Sequence, residues 1–213
     1  MYAFPQYQLA VLTKSPELGK AKTRMQPTLS KEFSLRLHTQ LVDYVLQMWS
    51  DTETCSLQLF LAGEEACFFD TFPQWSNLSL LSQASGDLGA RLCSIVDLTL
   101  KQYQGVILVG TDCPFIDTVY LSSACRALDQ YDAVVGPAAD GGYVLLGLKK
   151  NAEALFSDID WGSDSVFVET IKRIKEQGFS YFILPELDDI DHPEDLIKLA
   201  PLPIFDDLLR GNI

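Results

Sequence analysis

Histidine is nearly absent: the 213 residues contain only His38 and His192. A multi-histidine metal centre is therefore excluded, and a histidine-dependent triad would have to use one of these two. The cysteines Cys55, Cys67, Cys93, Cys113 and Cys125 are odd in number and never form CxxC. That argues against a disulfide framework and against structural zinc, and reduced core residues are expected. No apolar stretch approaches the roughly 20 residues of a membrane span. The opening "MYAFPQYQ" has neither the basic start nor the long apolar centre of a signal peptide, so a cytoplasmic protein is expected. Basic residues are scarce, 16 Lys and Arg against 29 Asp and Glu, giving a net charge of −13. Because a polyanion is normally met by a basic surface, this argues against nucleic acid as a partner. GxxxxGK[ST] and GxGxxG are also missing, so neither the P-loop nor the dinucleotide fingerprint applies.

What is present suits one α/β domain over residues 1–213, with 47% hydrophobic residues to build its core. Strands are predicted at 8–14, 56–63, 79–84, 105–112, 132–138, 141–148 and 179–185. Helices are predicted at 30–49, from Glu64, at 87–103, 117–130 and 163–177, and from Pro193. Ser30 suits the N-cap of the first, whose Phe33, Leu37, Leu41, Tyr44, Val45 and Met48 fall at helical spacing. Strands alternating with helices in this way predict a mostly parallel sheet covered on both faces.

Three stretches carry chemistry. "VILVGTDCPF" is a β-branched run that ends on Asp112, and Pro114 then disfavours helix at Cys113. Ligands of open α/β sheets bind outside the carboxyl ends of strands, so Asp112 either holds a metal or a substrate hydroxyl, or only makes an Asx-turn. The loop "KSPELGKAKTR" follows the first strand and crowds Lys14, Lys20, Lys22 and Arg24 around one acid, Glu17. It is a diphosphate grip by Lys14, Lys22 and Arg24, with Gly19 letting the backbone fold close, or else a solvated basic loop. "GPAADGGYVLLGL" sets Asp140 before Gly141 and Gly142, which leaves backbone free for a flat or sugar-like ligand, or makes a hairpin turn. In "ELDDIDHPEDL", Asp189 and Asp191 alternate along an extended segment and face one side, able to give oxygens to a metal. Glu194 and Asp195 are expected to favour the following helix dipole, and His192 falls at its N-cap.

"LTKSPELGKAKTR", "GDLGARL", "VGTDCPFID", "GPAADGGYVLLGL", "DIDWGSDSV" and "DIDHPED" occur in this order. In these blocks, spanning roughly residues 8–198, the chain resembles the DUF2064 family, glycosyltransferase-like proteins similar to nucleotide-diphospho-sugar transferases of GT-A fold. The resemblance implies a GT-A-like three-layer αβα sandwich, a first loop that binds nucleotide phosphates, and Asp112 as metal ligand where glycosyltransferases carry Asp-x-Asp. Here the positions two before and two after Asp112 are Gly110 and Pro114. A late acid, Asp191 with Asp189 beside it, would have to complete the site, as in nucleotidyltransferases.

The expected activity is transfer from a nucleoside diphosphate sugar to a small acceptor with Mg²⁺ or Mn²⁺. Asp87 and Arg91 would line the nucleotide or acceptor side, and Asp140 would orient or deprotonate the acceptor hydroxyl. Two alternatives remain: nucleotidyl transfer to a phosphorylated small molecule with release of pyrophosphate, and a silent nucleotide-binding module.

Overall fold

The structure, a computed structural model, describes residues 1–151 and 153–210. Seven strands, β1 (Tyr7–Lys14), β2 (Ser56–Ala62), β3 (Leu80–Ser82), β4 (Gly105–Gly110), β5 (Ala133–Pro137), β6 (Tyr143–Leu148) and β7 (Tyr181–Ile183), form one sheet. Their order is β3-β2-β1-β4-β6-β5-β7. β6 runs antiparallel to both neighbours, β4 and β5, and the remaining pairs are parallel.

Period-two alternation along the strands feeds two separate cores. Leu9, Val11, Ile107 and Val109 pack with α1 (Lys31–Ser50), α2 (Glu65–Thr71) and α4 (Thr118–Gln130). Ala10, Val106 and Leu108 turn the other way, onto Leu92, Ile95 and Val96 of α3 (Leu88–Thr99) and Ile171 and Ile174 of α5 (Val166–Glu176). This is the expected αβα sandwich. A short α6 (Asp206–Leu209) joins a third cluster, in which Phe205 and Leu208 pack with Leu37, Leu41 and Ile190.

Most element boundaries agree with the sequence reading, including the Ser30 cap, whose hydroxyl accepts the Phe33 N–H at 3.0 Å. The exceptions are local. α3 ends at Thr99 instead of near Tyr103, β4 ends at Gly110 instead of Asp112, and β3 and β7 shrink to three residues each. The segment from Pro193 to Leu199 winds as a 3-10 helix. All five cysteines are free. No described helix is long and apolar enough to cross a membrane.

Candidate active site

β4 stops at Gly110, so Asp112 stands two residues beyond it, outside the sheet. The ends of β1 and β4 are tied by the hydroxyls of Thr13 and Thr111, 3.1 Å apart. Above them opens a cleft of about 490 Å³. Lys14, Lys22, Arg24, Arg91, Asp112, Asp189 and Asp191 all face it, while Gly19, Asp87 and Asp140 do not. Gly110 lines the same cleft, and a side chain there would meet nothing within 4 Å.

Backbone pairing brings Asp191 to Asp112 across the fold. Leu187 bridges Ala138 just past β5, and the Ile190 N–H then donates to the Asp112 carbonyl at 3.0 Å. Fully buried Ile190 anchors the turn in the third cluster. Asp195 fixes the backbone on its other side: its Oδ2 accepts the N–H groups of Asp191 at 3.0 Å and His192 at 2.7 Å. Its Oδ1 pairs with Lys198 at 2.8 Å. Burial opposes ionisation of Asp195, and Lys198 and the two N–H groups overcome it, holding the carboxyl below its usual range. Besides the dipole role expected of it in the first turn, Asp195 thus has a structural one, securing the backbone at the His192 N-cap. Asp195→Ala should lower stability by about 1–3 kcal/mol, the range for leaving such donors unmade. Thermal unfolding checks this, and an unchanged melting temperature would deny Asp195 its role.

The centre of the cleft is a cation held by three oxygens. The Lys22 ammonium lies 2.5 Å from Asp112 Oδ1, 3.0 Å from Asp191 Oδ1 and 2.5 Å from the Ile190 carbonyl. Its side chain is 3% exposed, against 45% for Asp112. Burial works against the charged lysine, but Asp112 and Asp191 outweigh it and hold the ammonium above its ordinary pKa. Asp112 likewise resists burial through Lys22, with smaller help from His38 and Lys14, and stays below the usual carboxylate range. Arg24 Nη1 takes the other oxygen of Asp191 at 3.1 Å. Lys14 is exposed and makes no ion pair among the described residues. The three cations expected to grip phosphate are therefore not equivalent: Lys14 is without an ion pair among the described residues, Arg24 is shared with Asp191, and Lys22 is paired with both carboxylates.

Asp189, unlike Asp112 and Asp191, makes no ion pair among the described residues. Burial first, then the charges of Asp140, Asp191 and Asp112, push its carboxyl up to about 6. Asp140 itself is exposed in the β5–β6 hairpin, and its side chain accepts the Gly142 N–H at 2.8 Å in an Asx-turn. The space beside Gly141 is taken by the chain: a Cβ there would lie 2.1 Å from the Asp164 carbonyl oxygen. The hairpin alternative is thus the geometry observed. Asp87 caps α3, accepting the Ala90 N–H at 2.8 Å, and Arg91 Nε donates to the Gly86 carbonyl at 3.1 Å. Gly19 has φ 79°, the left-handed geometry that favours glycine.

The sequence reading placed neither His38 nor Gln83 in the cleft. His38 sits on the buried side of α1 at apolar spacing, where a histidine reads as core, yet it lines the cleft and bonds the Lys14 carbonyl at 3.0 Å. Gln83 comes directly after β3, and that position at a strand's carboxyl end was its only signal. Its Nε2 donates to the Thr13 and Phe60 carbonyls at 3.1 and 2.9 Å. Because both partners are acceptors, the amide oxygen is the atom left for the cleft.

Among the described residues no three His, Cys, Asp or Glu side chains gather closely enough to hold a metal alone. The three oxygens around Lys22 nonetheless suit a hard cation. Mg²⁺ is commonly bound by one or two carboxylates, with water and substrate phosphates completing its shell. Asp112 and Asp191 fit that donor set.

An open αβα sheet with its cleft at the carboxyl ends of β1 and β4 is the nucleotide-diphospho-sugar transferase fold. A candidate nucleotide-diphospho-sugar transferase from Desulfovibrio desulfuricans G20 superposes with a TM-score of 0.86 at 25% identity, over 98% of this chain and 95% of that one. The 4-diphosphocytidyl-2C-methyl-D-erythritol synthase of Anaerococcus prevotii DSM 20548 shares the fold, with a TM-score of 0.58 at 14% identity over 92% and 95%. So does the inositol-1-phosphate CTP transferase of T. maritima, with a TM-score of 0.55 at 11% identity over 99% of each chain. The chain belongs to the bacterial family DUF2064, described as "uncharacterized protein conserved in bacteria", whose model matches residues 45–163. A search of curated proteins returned no match.

Proposed function

We propose that the chain is a metal-dependent transferase that takes a nucleoside diphosphate sugar as donor and passes the sugar to a small acceptor. The observation that carries this reading is the convergence of Asp112, Asp191 and the Ile190 carbonyl on one cation at the mouth of β4. Bound there with the diphosphate, Mg²⁺ or Mn²⁺ would neutralise charge on the leaving group. Lys14 and Arg24 face the same cleft and would bind phosphate oxygens. Leu12, Ala62, Leu88 and Leu92 also line it and would offer apolar walls for a base, with the Gln83 amide oxygen and Arg91 as polar contacts. Asp140 lies outside the cleft, so its proposed part is to orient the acceptor from the hairpin rim. The 25% identity to the D. desulfuricans protein over nearly the whole chain supports the sugar-nucleotide donor.

A second reading, nucleotidyl transfer, draws on one specific feature. The acid that joins Asp112 is the distant Asp191 and not a neighbour in an Asp-x-Asp motif. Product analysis separates the two, because only nucleotidyl transfer releases pyrophosphate.

The test is a thermal-shift panel of nucleotides, nucleoside diphosphate sugars and nucleoside triphosphates, each with and without Mn²⁺. Binding to the folded state raises stability by about 2.7 kcal/mol at 100 times the dissociation constant. Stabilisation by at least one nucleotide, enlarged by Mn²⁺, is expected. No stabilisation by any member would remove both enzyme readings.

A further inference from the structure

We infer that Lys22 is an internal counterion that occupies the cation site of the free protein, and that it must leave Asp112 and Asp191 before a divalent ion can bind them. The inference rests on the proposed reading that these two acids hold the metal.

Four observations carry it. The three oxygens of the site all point at one nitrogen, at 2.5, 3.0 and 2.5 Å. An ammonium and a divalent ion cannot share those positions. The lysine side chain is 3% exposed, so it is packed into the site and does not merely visit from solvent. Its backbone is left-handed, with φ 48° and ψ 48°, a region uncommon for residues other than glycine, so the surrounding structure holds the residue in that conformation. Finally, Lys14 faces the same cleft with no ion pair among the described residues. Arriving phosphate therefore meets a free cation first, while the buried one is already paired.

The consequence is coupling between metal and nucleotide. Moving a buried ammonium off two carboxylates is unfavourable unless its charge finds other oxygens, and diphosphate in the cleft supplies them. Lys22 would then pass from the carboxylates to the phosphates as the acids become free for the ion. Metal alone should bind the resting protein poorly, and the site should close only around the complete donor.

The test titrates Mn²⁺ alone, with no nucleotide, and counts free ion by electron paramagnetic resonance. Lys22→Met removes the charge and keeps the length of the side chain, leaving Asp112 and Asp191 uncompensated. It should bind Mn²⁺ at least tenfold more tightly than the parent, and adding Asp112→Asn should abolish the gain. Equal or weaker binding by folded Lys22→Met would overturn the inference. If that variant fails to fold, the parent itself decides. In metal-free protein, reductive methylation followed by peptide mass analysis should modify Lys14 well before Lys22, and equal rates would overturn the inference too. The function proposed above fails differently: there the parent would show no Mn²⁺-enhanced binding of any nucleotide, whatever Lys22→Met does with the ion alone.

Discussion

Asp112→Asn is expected to eliminate the Mn²⁺-dependent part of nucleotide binding while leaving a folded protein. Asparagine keeps the size and turn capacity of aspartate but removes one of the two charges that make the cleft a cation site. Isothermal calorimetry with and without Mn²⁺ reads the effect directly. The metal should enhance nucleotide affinity in the parent and have no effect in the variant. The shared metal site would be abandoned if Mn²⁺ enhanced binding to Asp112→Asn as much as to the parent.

Stability adds a second readout with a definite sign. Viewed without its neighbours, an acid at a strand end would be a burden, and its loss neutral or favourable. The buried ammonium of Lys22, 2.5 Å away, reverses that expectation. The folded protein holds the Asp112 carboxyl below the ordinary value of 3.8. The pair therefore stabilises the parent above that ordinary value, and the contribution fades as pH falls through the depressed one. Asp112 is 45% exposed and Lys22 keeps Asp191, so the loss is discounted for solvent to about 1 kcal/mol. For a chain of this size that lowers the melting temperature by about 2–4 °C at neutral pH. The difference should vanish in strong acid, where both proteins carry a neutral side chain at that position.

Gly141→Ala is expected to be the most destabilising single methyl in the β5–β6 hairpin. Gly141 has φ 90°, where a Cβ is strained, and the added carbon would lie 2.1 Å from the Asp164 carbonyl oxygen and 2.6 Å from the Asp164 Cα. Backbone cannot yield as a side-chain end can. Neither can Gly141 retreat easily, because its carbonyl accepts the Phe167 N–H at 2.8 Å at the start of α5. The conformational penalty of about 1–3 kcal/mol and the overpacking penalty of similar size together give a loss of about 2–6 kcal/mol. Gly178→Ala is the control: its φ is 69°, but nothing lies within 4 Å of the added carbon. It should lose only about 1–2 kcal/mol, the left-handed penalty alone. Equal shifts in melting temperature for the two variants would show that the Asp164 contact does not constrain the hairpin.

The local rules were legible in the sequence because they act over a few residues. The unbroken apolar run "VILVG" gave a strand buried on both faces, "QLAVLTK" gave the first strand, apolar spacing from Phe33 to Met48 gave α1, and Ser30 gave its cap. The ordered blocks gave the family and, through it, the fold. The sequence also pointed to the residues of the cleft: seven of the ten candidates line it.

Only the tertiary structure decided which of those residues meet. Lys22 and Asp191 are 169 positions apart, and no periodicity within either segment records that one ends against the other. Their meeting depends on the Leu187 bridge to Ala138, on Ile190 in the third cluster and on the Asp195 carboxylate. The same holds for Gly141, whose open backbone looks identical in sequence whether a ligand or the Asp164 carbonyl fills the space. Spacing along a chain sets which way a side chain faces. Which charge neutralises which is set by long-range packing, and that is why spacing alone did not reveal that Lys22, expected to grip phosphate, pairs with two carboxylates.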